Sequence, residues 1–328
     1  MRAIELFSGI GGMHFALKEC DLGKNIEVVL SVDINPVANN VYRHFFPLTN
    51  HKELNILKIK PEQINTYNAD ILLMSPPCQP FTRNGLVKDI NDERTKPFLH
   101  IIKNLIPQLK SLKYILVENV KGFECSITRG ELVNSLKQCG FNYREFILSP
   151  THFGICNSRT RYYLLAKKEP MDFVITSNEI VCENTWDTNL YKSIKKVSDV
   201  LCESGVNLEK YLLNDNILLK YHKVLDVVSK DSDRSCCFTR SYSTYVHGTG
   251  SIFSNLEHEK IQKIIKNDNC DLETLKSLKL RFFTPSEVAK FMCFPISSFP
   301  VSDKKAYQLL GNSVNVYVVS RLINLLLS

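Results

Sequence analysis

Residues 2–7 read Arg-Ala-Ile-Glu-Leu-Phe, and glycines follow at positions 9, 11 and 12. The apolar run has the length of a buried strand, and the glycines allow a sharp turn and a close approach to a ligand. A helical pattern continues from about Met13 to Cys20. The spacing Gly9-x-Gly11-Gly12 lacks the third glycine of a dinucleotide loop, so it does not favour a pyrophosphate cradle. The stretch predicts a strand, a ligand-binding turn and a helix.

Strand and helix patterns alternate from this unit to residue 167. The predicted strands and helices are, in order, strand 26–32, helix 36–46, strand 69–74, helix 97–109, strand 114–118, helix 130–139, and strands 143–148 and 161–167, the last two possible as an antiparallel pair. Such alternation predicts an α/β, Rossmann-like sheet that is mostly parallel, with one antiparallel strand. Ligands bind such sheets beyond the carboxyl ends of the strands.

The alternation is lost after about Pro170, and residues 180–280 are richer in Asn, Ser, Lys and Asp. This change predicts a smaller second domain inserted before the C-terminal helix. We expect a catalytic domain over residues 1–178, a target-recognition domain over 179–283, and a segment 284–328 that returns to the first domain.

Composition excludes several classes of protein. Of the 328 residues, 44% are hydrophobic and 23% charged, which is typical of a globular protein rather than a disordered one. The apolar runs are strand-sized, and the N-terminus shows no secretory pattern, so we expect no membrane partner and a cytoplasmic location, with the nucleus as a second one. The eleven cysteines form no Cys-x-x-Cys pair, which argues against disulfides and metal. A net charge of +7 is compatible with a nucleic-acid partner.

The predicted strand ends carry the candidate functional residues. Asp33 ends the second strand, where a carboxylate can accept ribose hydroxyls, and Ile34 can cover an adenine face. Cys78 follows Pro76 and Pro77 in a turn that should be rigid and exposed, as a nucleophile requires. The alternatives are a surface Asp beside a tight turn, and a cysteine that only fills the core.

Charged residues follow at two further positions. Glu118 ends the next strand, where it is either an acid–base group or a solvated carboxylate. Arg159 and Arg161 lie on the same side of an extended segment. Arg161 can orient Glu118, and Arg159 can hold a phosphate or a loop carbonyl; ordinary surface arginines are the alternative.

The chain resembles the cytosine-5 methyltransferase family in five motifs that occur in the family's order. They are Phe7-Ser8-Gly9-Ile10-Gly11-Gly12, Pro76-Pro77-Cys78-Gln79, Glu118-Asn119-Val120, Arg159-Thr160-Arg161 and Gly311-Asn312-Ser313-Val314. Three further stretches are similar to the small tRNA methyltransferase branch, namely Pro80-Phe81-Thr82-Arg83, Lys121-Gly122-Phe123-Glu124, and Cys237-Phe238-Thr239 with Gly248-Thr249-Gly250. The resemblance implies S-adenosylmethionine as cofactor and methylation of carbon 5 of cytosine 38 in the anticodon loop of aspartate tRNA.

The resemblance also implies roles for individual residues. Cys78 would add to carbon 6 of the cytosine, Glu118 would act as an acid at ring nitrogen 3, and Arg159 and Arg161 would organise the site. The implied cofactor residues are Phe7, Ser8, Gly9, Ile10, Gly11, Gly12, Asp33, Ile34, Asn55, Ile56, Leu57, Ser75, Pro77, Asn312, Ser313 and Val314. The implied substrate residues are Gln79, Thr82, Arg83, Asn119, Lys121, Cys237, Phe238 and Thr239.

Three residues depart from the family pattern. Asn55 replaces an acid that binds the adenine amine in many members, Asn157 replaces a common glutamine, and Cys293 stands where a glycine is usual. The first substitution puts the adenine contact in doubt. The sequence offers no physical reason for the third.

The resemblance leads to a picture of substrate binding. The target cytosine would leave its stack and enter a cleft between the domains, under a lid formed by residues 82–95. Candidate phosphate contacts are Arg83, Lys88, Arg94 and Lys121. We expect a monomer that binds tRNA. A DNA cytosine methyltransferase with the same chemistry, a silent nucleic-acid-binding homologue and a nicotinamide-dependent oxidoreductase are the alternatives.

Overall fold

The structure is a computed structural model that describes residues 1–81, 89–175, 177, 179–187, 191, 193–202, 206–267 and 269–328. The chain forms two compact units. The first comprises Met1–Leu148, Thr160–Thr188 and Val316–Ser328, and the second comprises Ser149–Arg159 and Asn189–Asn315. These bounds differ from the domains expected from composition. Residues 149–159 and 284–315 belong to the second unit, and residues 179–187 belong to the first.

The first unit is built on a seven-stranded sheet. Its strands are β1 (Arg2–Leu6), β2 (Glu27–Asp33), β3 (His51–Glu53), β4 (Ile71–Met74), β5 (Tyr114–Val120), β6 (Phe141–Leu148) and β7 (Arg161–Lys168). Their order is β3-β2-β1-β4-β5-β7-β6, and β7 runs antiparallel to both of its neighbours while the other pairs are parallel. The predicted α/β class, with one antiparallel strand, is confirmed.

Helices cover the sheet of the first unit. They are α1 (Gly12–Glu19), α2 (Pro36–Phe45), α3 (Pro61–Asn65), α4 (Lys96–His100), which continues as a π-helical turn (Ile101–Leu105), and α5 (Ile127–Gln138). The helices that follow along the chain lie in the second unit, and the last helix, α11 (Val316–Leu327), belongs to the first. Helix α11 packs against α1, β5 and β7, as expected for a C-terminal helix that completes the sheet layer.

Helix α5 begins earlier than predicted. The expected start was Gly130, but the helix begins at Ile127, where Ser126 Oγ accepts the Arg129 N–H at 3.0 Å. The carboxylate of Asp89 accepts the Ile127 N–H at 2.6 Å, which satisfies a second free donor of the first turn. These two caps outweigh the poor helix propensity of Gly130, which lies within the helix. The predicted end is confirmed by Gly140, whose φ is +65°.

The second unit has a short two-stranded parallel sheet, β8 (Val227–Val228) with β9 (Ile252–Phe253). Its helices are α6 (Asp215–Tyr221), α7 (His258–Ile265), α8 (Leu272–Ser277), α9 (Pro285–Phe291) and α10 (Asp303–Gly311). An aromatic cluster of Phe238, Tyr242, Phe283 and Phe291 forms its core, with ring centroids 5.0–5.7 Å from that of Phe238. The unit therefore has a hydrophobic core of its own.

Short 3-10 turns connect these elements. They are Ile56–Lys58, Gln79–Phe81, Asp89–Asn91, Glu93–Thr95, Ile106–Gln108 and Phe123–Cys125 in the first unit, and Pro150–Phe153, Val197–Val200, Glu209–Tyr211 and His222–Val224 in the second.

By length and composition, the segment Asp303–Leu327 is apolar enough to cross a membrane, but 67% of its apolar window is buried inside the protein. It includes α10, α11 and the turn between them. Burial of this kind is typical of core helices.

Candidate active site

The carboxyl ends of four neighbouring strands bring the predicted site segments of the first unit to one edge of the sheet. Leu6 O accepts the Ser75 N–H at 3.4 Å, which joins the end of β1 to the end of β4. Strands β4 and β5 pair with Met74 opposite Val117. Because β7 is antiparallel, its first residue, Arg161, lies opposite Val120 at the end of β5. The edge thus holds the glycine turn, Asp33, Cys78, Glu118 and Arg161.

The turn after β1 has an unusual backbone. Phe7, Gly9 and Gly11 all have positive φ, at +56°, +53° and +85°. Phe7 is the costly member, because a bulky residue rarely adopts this conformation. The Gly9 N–H donates to Asp33 Oδ2 at 2.8 Å, which ties the turn to the end of β2. A Cβ on Gly11 would collide with the rings of Phe46 and Tyr42, so this position requires glycine.

A buried polar cluster lies beneath the turn. Tyr42 donates a hydrogen bond to Glu5 Oε2 at 3.1 Å, and His14 Nδ1 lies 2.9 Å from the Tyr42 hydroxyl. Burial raises the pKa of Glu5 to about 8 and lowers the pKa of His14 to about 3. At pH 7 the carboxyl of Glu5 is therefore mainly protonated and the imidazole of His14 neutral. Sequence reasoning missed this cluster, because an acid inside an apolar strand gives no sign of its partners.

The turn fits a nucleoside-bearing cofactor such as S-adenosylmethionine. A Cβ built on Gly9 meets no atom within 4 Å, so the backbone faces open space there. Ser8 Oγ is buried and has no hydrogen-bond partner among the described residues. Asp33 accepts N–H groups from Gly9 and Asn35 at 2.8 Å each and, as a carboxylate, has further lone pairs for ribose hydroxyls. Burial raises the pKa of Asp33. Beside it, Ile34 is 64% exposed, although large apolar side chains are usually covered.

The remaining cofactor candidates are distributed over both units. Asn55 caps the turn Ile56–Lys58 by accepting the Leu57 N–H at 3.0 Å. Ile56 is buried and Leu57 is exposed. Ser75 and Pro77 are half-buried at the end of β4, and Ile10 is buried in the glycine turn. The candidates Asn312, Ser313 and Val314 belong to the second unit, and their contact with cofactor stays a prediction.

Cys78 lies in a braced turn. Its carbonyl accepts the Phe81 N–H at 2.9 Å, which closes the 3-10 turn Gln79–Phe81. The side-chain amide of Asn119, a residue that is 1% exposed, donates to Pro76 O at 3.4 Å. A Cβ on Gly122, whose φ is +112°, would lie 3.3 Å from Phe81 O. The end of β5 thus supports the turn, and Cys78 is half-buried rather than enclosed in the core.

Glu118 and Arg161 form a partly shielded ion pair. Arg161 Nε lies 3.5 Å from Glu118 Oε1, and the two side chains are 16% and 10% exposed. Arg161 also donates to Thr160 O at 2.8 Å, which fixes its guanidinium. This contact is the one expected if Arg161 orients Glu118.

Arg159 contacts carbonyl groups of the second unit. Its guanidinium donates to Phe238 O at 3.0 Å, to Gly311 O at 3.1 Å and to Ser313 O, and the residue is 3% exposed. The sequence predicts that Arg159 holds either a phosphate or a loop carbonyl. These three contacts are with carbonyl oxygens. Arg159 therefore joins the segment with Cys237-Phe238-Thr239 to the segment with Gly311-Asn312-Ser313.

The candidate substrate residues differ in their surroundings. Lys121 is exposed, Gln79 and Thr239 are half-buried, and Cys237 Sγ lies 3.4 Å from Arg159 Nη1. The ring of Phe238 is 2% exposed and serves the aromatic core. Thr82, Arg83 and Lys88 lie outside the described residues, as does half of the predicted lid, residues 82–88. The described residues contain no cluster of three or more His, Cys, Asp or Glu side chains that could hold a metal ion.

Gly311 allows two segments of the second unit to touch. A Cβ at this position would overlap the backbone of Thr239 and Arg240. Substituting Gly311→Ala should therefore destabilise the protein by about 2–3 kcal/mol, because backbone rather than a flexible side chain must move. The measurement is urea unfolding followed by circular dichroism.

Gly130→Ala is the matched control for Gly311→Ala. A Cβ on Gly130 meets nothing within 4 Å and lies within helix α5, so this change should stabilise by about 0.5–1 kcal/mol. A Gly311→Ala protein as stable as the parent would show that the two segments are not in close contact.

The fold and the arrangement at its edge define a class of protein. A Rossmann-like, mostly parallel seven-stranded sheet with a glycine turn after β1 and a carboxylate at the end of β2 is the fold of S-adenosylmethionine-dependent methyltransferases. The family described as C-5 cytosine-specific DNA methylase matches residues 1–328, and the chain belongs to that family.

Known proteins match the chain over nearly its full length. A Spodoptera frugiperda protein named tRNA (cytosine(38)-C(5))-methyltransferase is 46% identical over 336 residues, which cover 99% of this chain and 98% of that protein. The Homo sapiens protein of the same name is 38% identical over 392 residues, with 99% of each chain covered. The crystal structure of a Spodoptera frugiperda DNMT2 mutant has a TM-score of 0.88 at 44% identity and covers 100% of this chain and 99% of that one.

Proposed function

We propose that the chain transfers a methyl group from S-adenosylmethionine to carbon 5 of cytosine 38 in the anticodon loop of aspartate tRNA. The observation that carries the proposal is the common edge of β1, β2, β4 and β5, which holds the glycine turn, Asp33, Cys78 and Glu118 together. The relatives from Spodoptera frugiperda and Homo sapiens, whose names specify cytosine 38 of tRNA, support the substrate. The choice of aspartate tRNA depends on the motif resemblance alone.

The chain's own residues account for activation of the base. The thiolate of Cys78 forms a bond to carbon 6 of the cytosine, and the ring electron pair moves towards carbon 5. The Glu118 carboxylate takes up a proton from solvent and shares it with ring nitrogen 3, which stabilises the negative charge that develops in the ring. Arg161, 3.5 Å from Glu118, keeps this carboxyl group in place. When methylation is complete, water takes the proton on carbon 5, the double bond between carbons 5 and 6 forms again, and Cys78 leaves as the thiolate.

Residues at the ends of β1 and β2 would hold the cofactor. Asp33 would accept the ribose hydroxyls, Ile34 would cover the adenine, and Ser8 would donate to a polar group beside the glycine turn. Bound S-adenosylmethionine supplies an activated methyl group. Glu5 and His14 beneath the turn are both neutral at pH 7. They would therefore add no charge to that of Asp33 beside the cofactor.

An unpaired base suits this chemistry, because the target must leave its stack before Cys78 can reach ring carbon 6. Anticodon-loop bases are not in a duplex, so they leave the stack at lower cost than a paired base in DNA. The net charge of +7 favours an RNA or DNA backbone equally. We therefore expect the preference for RNA to come from the unpaired base of the loop rather than from charge.

The proposal is tested by bisulfite sequencing of total tRNA after incubation with the protein and S-adenosylmethionine. We expect one new protected cytosine, at position 38 of aspartate tRNA, and no protection with Cys78→Ala. A parallel reaction uses a DNA duplex of the same sequence, because the family is described by its DNA members. Equal methylation of the duplex would instead support a DNA methyltransferase, and protection at a different tRNA position would contradict the proposed target.

A further inference from the structure

Arg94 is held in a defined position beside the nucleophile turn. Its guanidinium makes two hydrogen bonds with the carboxylate of Asp92, from Nε at 2.8 Å and from Nη2 at 2.7 Å. The third nitrogen, Nη1, donates to Gln79 Oε1 at 2.9 Å. Gln79 directly follows Cys78, so Arg94 connects the turn Glu93–Thr95 to the residue next to the candidate nucleophile.

The turn that carries Arg94 is anchored on helix α5. The Asp89 carboxylate accepts the Ile127 N–H at 2.6 Å and the Thr128 hydroxyl at 2.6 Å. The Asp89 carbonyl accepts the Asp92 N–H at 3.1 Å and the Thr95 hydroxyl at 2.8 Å. Asp89 has a φ of +47°, a conformation that residues other than glycine rarely adopt. The Thr128 N–H also donates to the Asp89 carboxylate, at 3.2 Å, and a strained residue with five hydrogen bonds holds the turn of Arg94 rigidly.

The charge of Arg94 acts on Cys78. Hydrogen bonding with Asp92 raises the pKa of Arg94, and the negative charge of the Cys78 side chain adds to this rise. An attraction of this kind is mutual, so the cation must also favour the thiolate over the thiol. Among the described residues, other charged groups at this edge include Asp92, which partly neutralises Arg94, and the pair of Glu118 and Arg161 at the ends of β5 and β7.

We propose that Arg94 is a positioning residue for the nucleophile, which holds the Cys78 turn through Gln79 and stabilises the thiolate form of Cys78. The inference rests on the proposed role of Cys78 as the nucleophile. A free thiol is mainly protonated at pH 7, with a pKa of about 8.5, and only the thiolate attacks, so a nearby cation speeds the attack. The sequence predicts Arg94 as a contact to an RNA phosphate. Its hydrogen bonds with Asp92 and Gln79 instead indicate a role in supporting the Cys78 turn.

The test is the pH dependence of Cys78 alkylation by iodoacetamide, followed for the Cys78 peptide by mass spectrometry because the chain has eleven cysteines. In Arg94→Met, the midpoint of the alkylation curve should rise by about one pH unit, and alkylation at pH 7 should slow about tenfold. Arg94→Lys keeps the charge but cannot bridge Asp92 and Gln79, so its midpoint should lie between those of the parent and Arg94→Met.

Arg234→Met is the matched control. Like Arg94, Arg234 binds an aspartate, with Asp226 at 2.8 Å, and the two arginines are similarly exposed, at 57% for Arg234 and 52% for Arg94. Arg234 lies in the second unit, whereas Arg94 lies in the first. The control should leave the Cys78 curve unchanged. An Arg94→Met protein with the parent's midpoint would overturn the proposal. If its alkylation rate then changed equally at every pH, Arg94 would have a purely structural role. If only its affinity for tRNA fell, Arg94 would be a phosphate contact.

The alkylation experiment uses neither RNA nor methyl donor. Its result is therefore separate from the proposed function. If the parent protein does not methylate tRNA, the proposed function fails, while a shifted midpoint in Arg94→Met still shows that Arg94 stabilises the Cys78 thiolate. If Cys78→Ala is inactive and the midpoint does not move, only the role of Arg94 fails.

Discussion

Replacing Cys78 by alanine is expected to reduce methylation of tRNA by a factor on the order of 10⁵ or more, because alanine has no thiolate to form the bond to carbon 6. Loss of the nucleophile in covalent catalysts of other kinds costs about 10⁶ in kcat. The fold should be unaffected, since Cys78 is half-buried on a turn at the sheet edge and not in the core. The measurement is single-turnover transfer of labelled methyl to tRNA.

Cys125→Ala is the control for that substitution. Cys125 is exposed, lies in the same unit and ends the turn Phe123–Cys125, so it tests whether loss of any accessible thiol lowers the rate. It should retain the parent rate, and Cys78→Ala should retain the parent affinity for tRNA. A Cys78→Ala protein that methylates within tenfold of the parent would exclude the covalent mechanism.

Glu118→Gln is expected to lower the single-turnover rate by a factor of about 10²–10⁴, the usual contribution of a positioned acid–base group. Glutamine has the same size but carries no titratable proton for ring nitrogen 3. It also removes the charge that holds Arg161 at 3.5 Å, so part of the loss reflects a mobile guanidinium. The affinity for tRNA should change little, because the effect arises in the transition state.

The control for Glu118→Gln is Glu131→Gln on helix α5. Glu131 pairs with Lys103 at 2.8 Å on the surface, and exposed pairs contribute about 0.2–1 kcal/mol, so its loss should leave the rate unchanged. If Glu118→Gln weakens tRNA binding but retains the rate on saturating tRNA, Glu118 binds the base and is not an acid.

The central sheet could be predicted from sequence because its strands are short apolar runs that end at glycine, proline or a charged residue. Strand β3 was not predicted, because His51-Lys52-Glu53 has no apolar residue and pairs only at the sheet edge. The start of α5 was wrong because one of its caps, Asp89, lies 38 positions from the N–H it accepts. Contacts of this range leave no local pattern.

The structure explains one departure from the family pattern. Cys293 has a φ of +58° directly after helix α9, which is the position where a helix commonly ends in a left-handed glycine. The family's glycine thus has a conformational reason, and the chain tolerates cysteine at some cost in strain. Nothing in the sequence around Cys293 reveals its φ.

The motifs of the candidate site can be predicted from the sequence, but the contacts that support them cannot. Cys78, Glu118 and Arg161 follow from residue type and position at strand ends. The links from Asp89 through Asp92 and Arg94 to Gln79 depend on side-chain geometry. Arg159 was predicted as a site residue, and its carbonyl partners in the second unit are separated from it by 79 to 154 positions.

The most direct measurement uses an anticodon-loop RNA in which cytosine 38 carries fluorine at carbon 5. Fluorine cannot leave as a proton does, so the bond between enzyme and base should persist after methylation. We expect a stable complex in which peptide mapping by mass spectrometry finds the methylated fluorocytosine on Cys78. A complex on another cysteine, or unmodified protein under conditions where ordinary cytosine 38 is methylated, would contradict catalysis through Cys78.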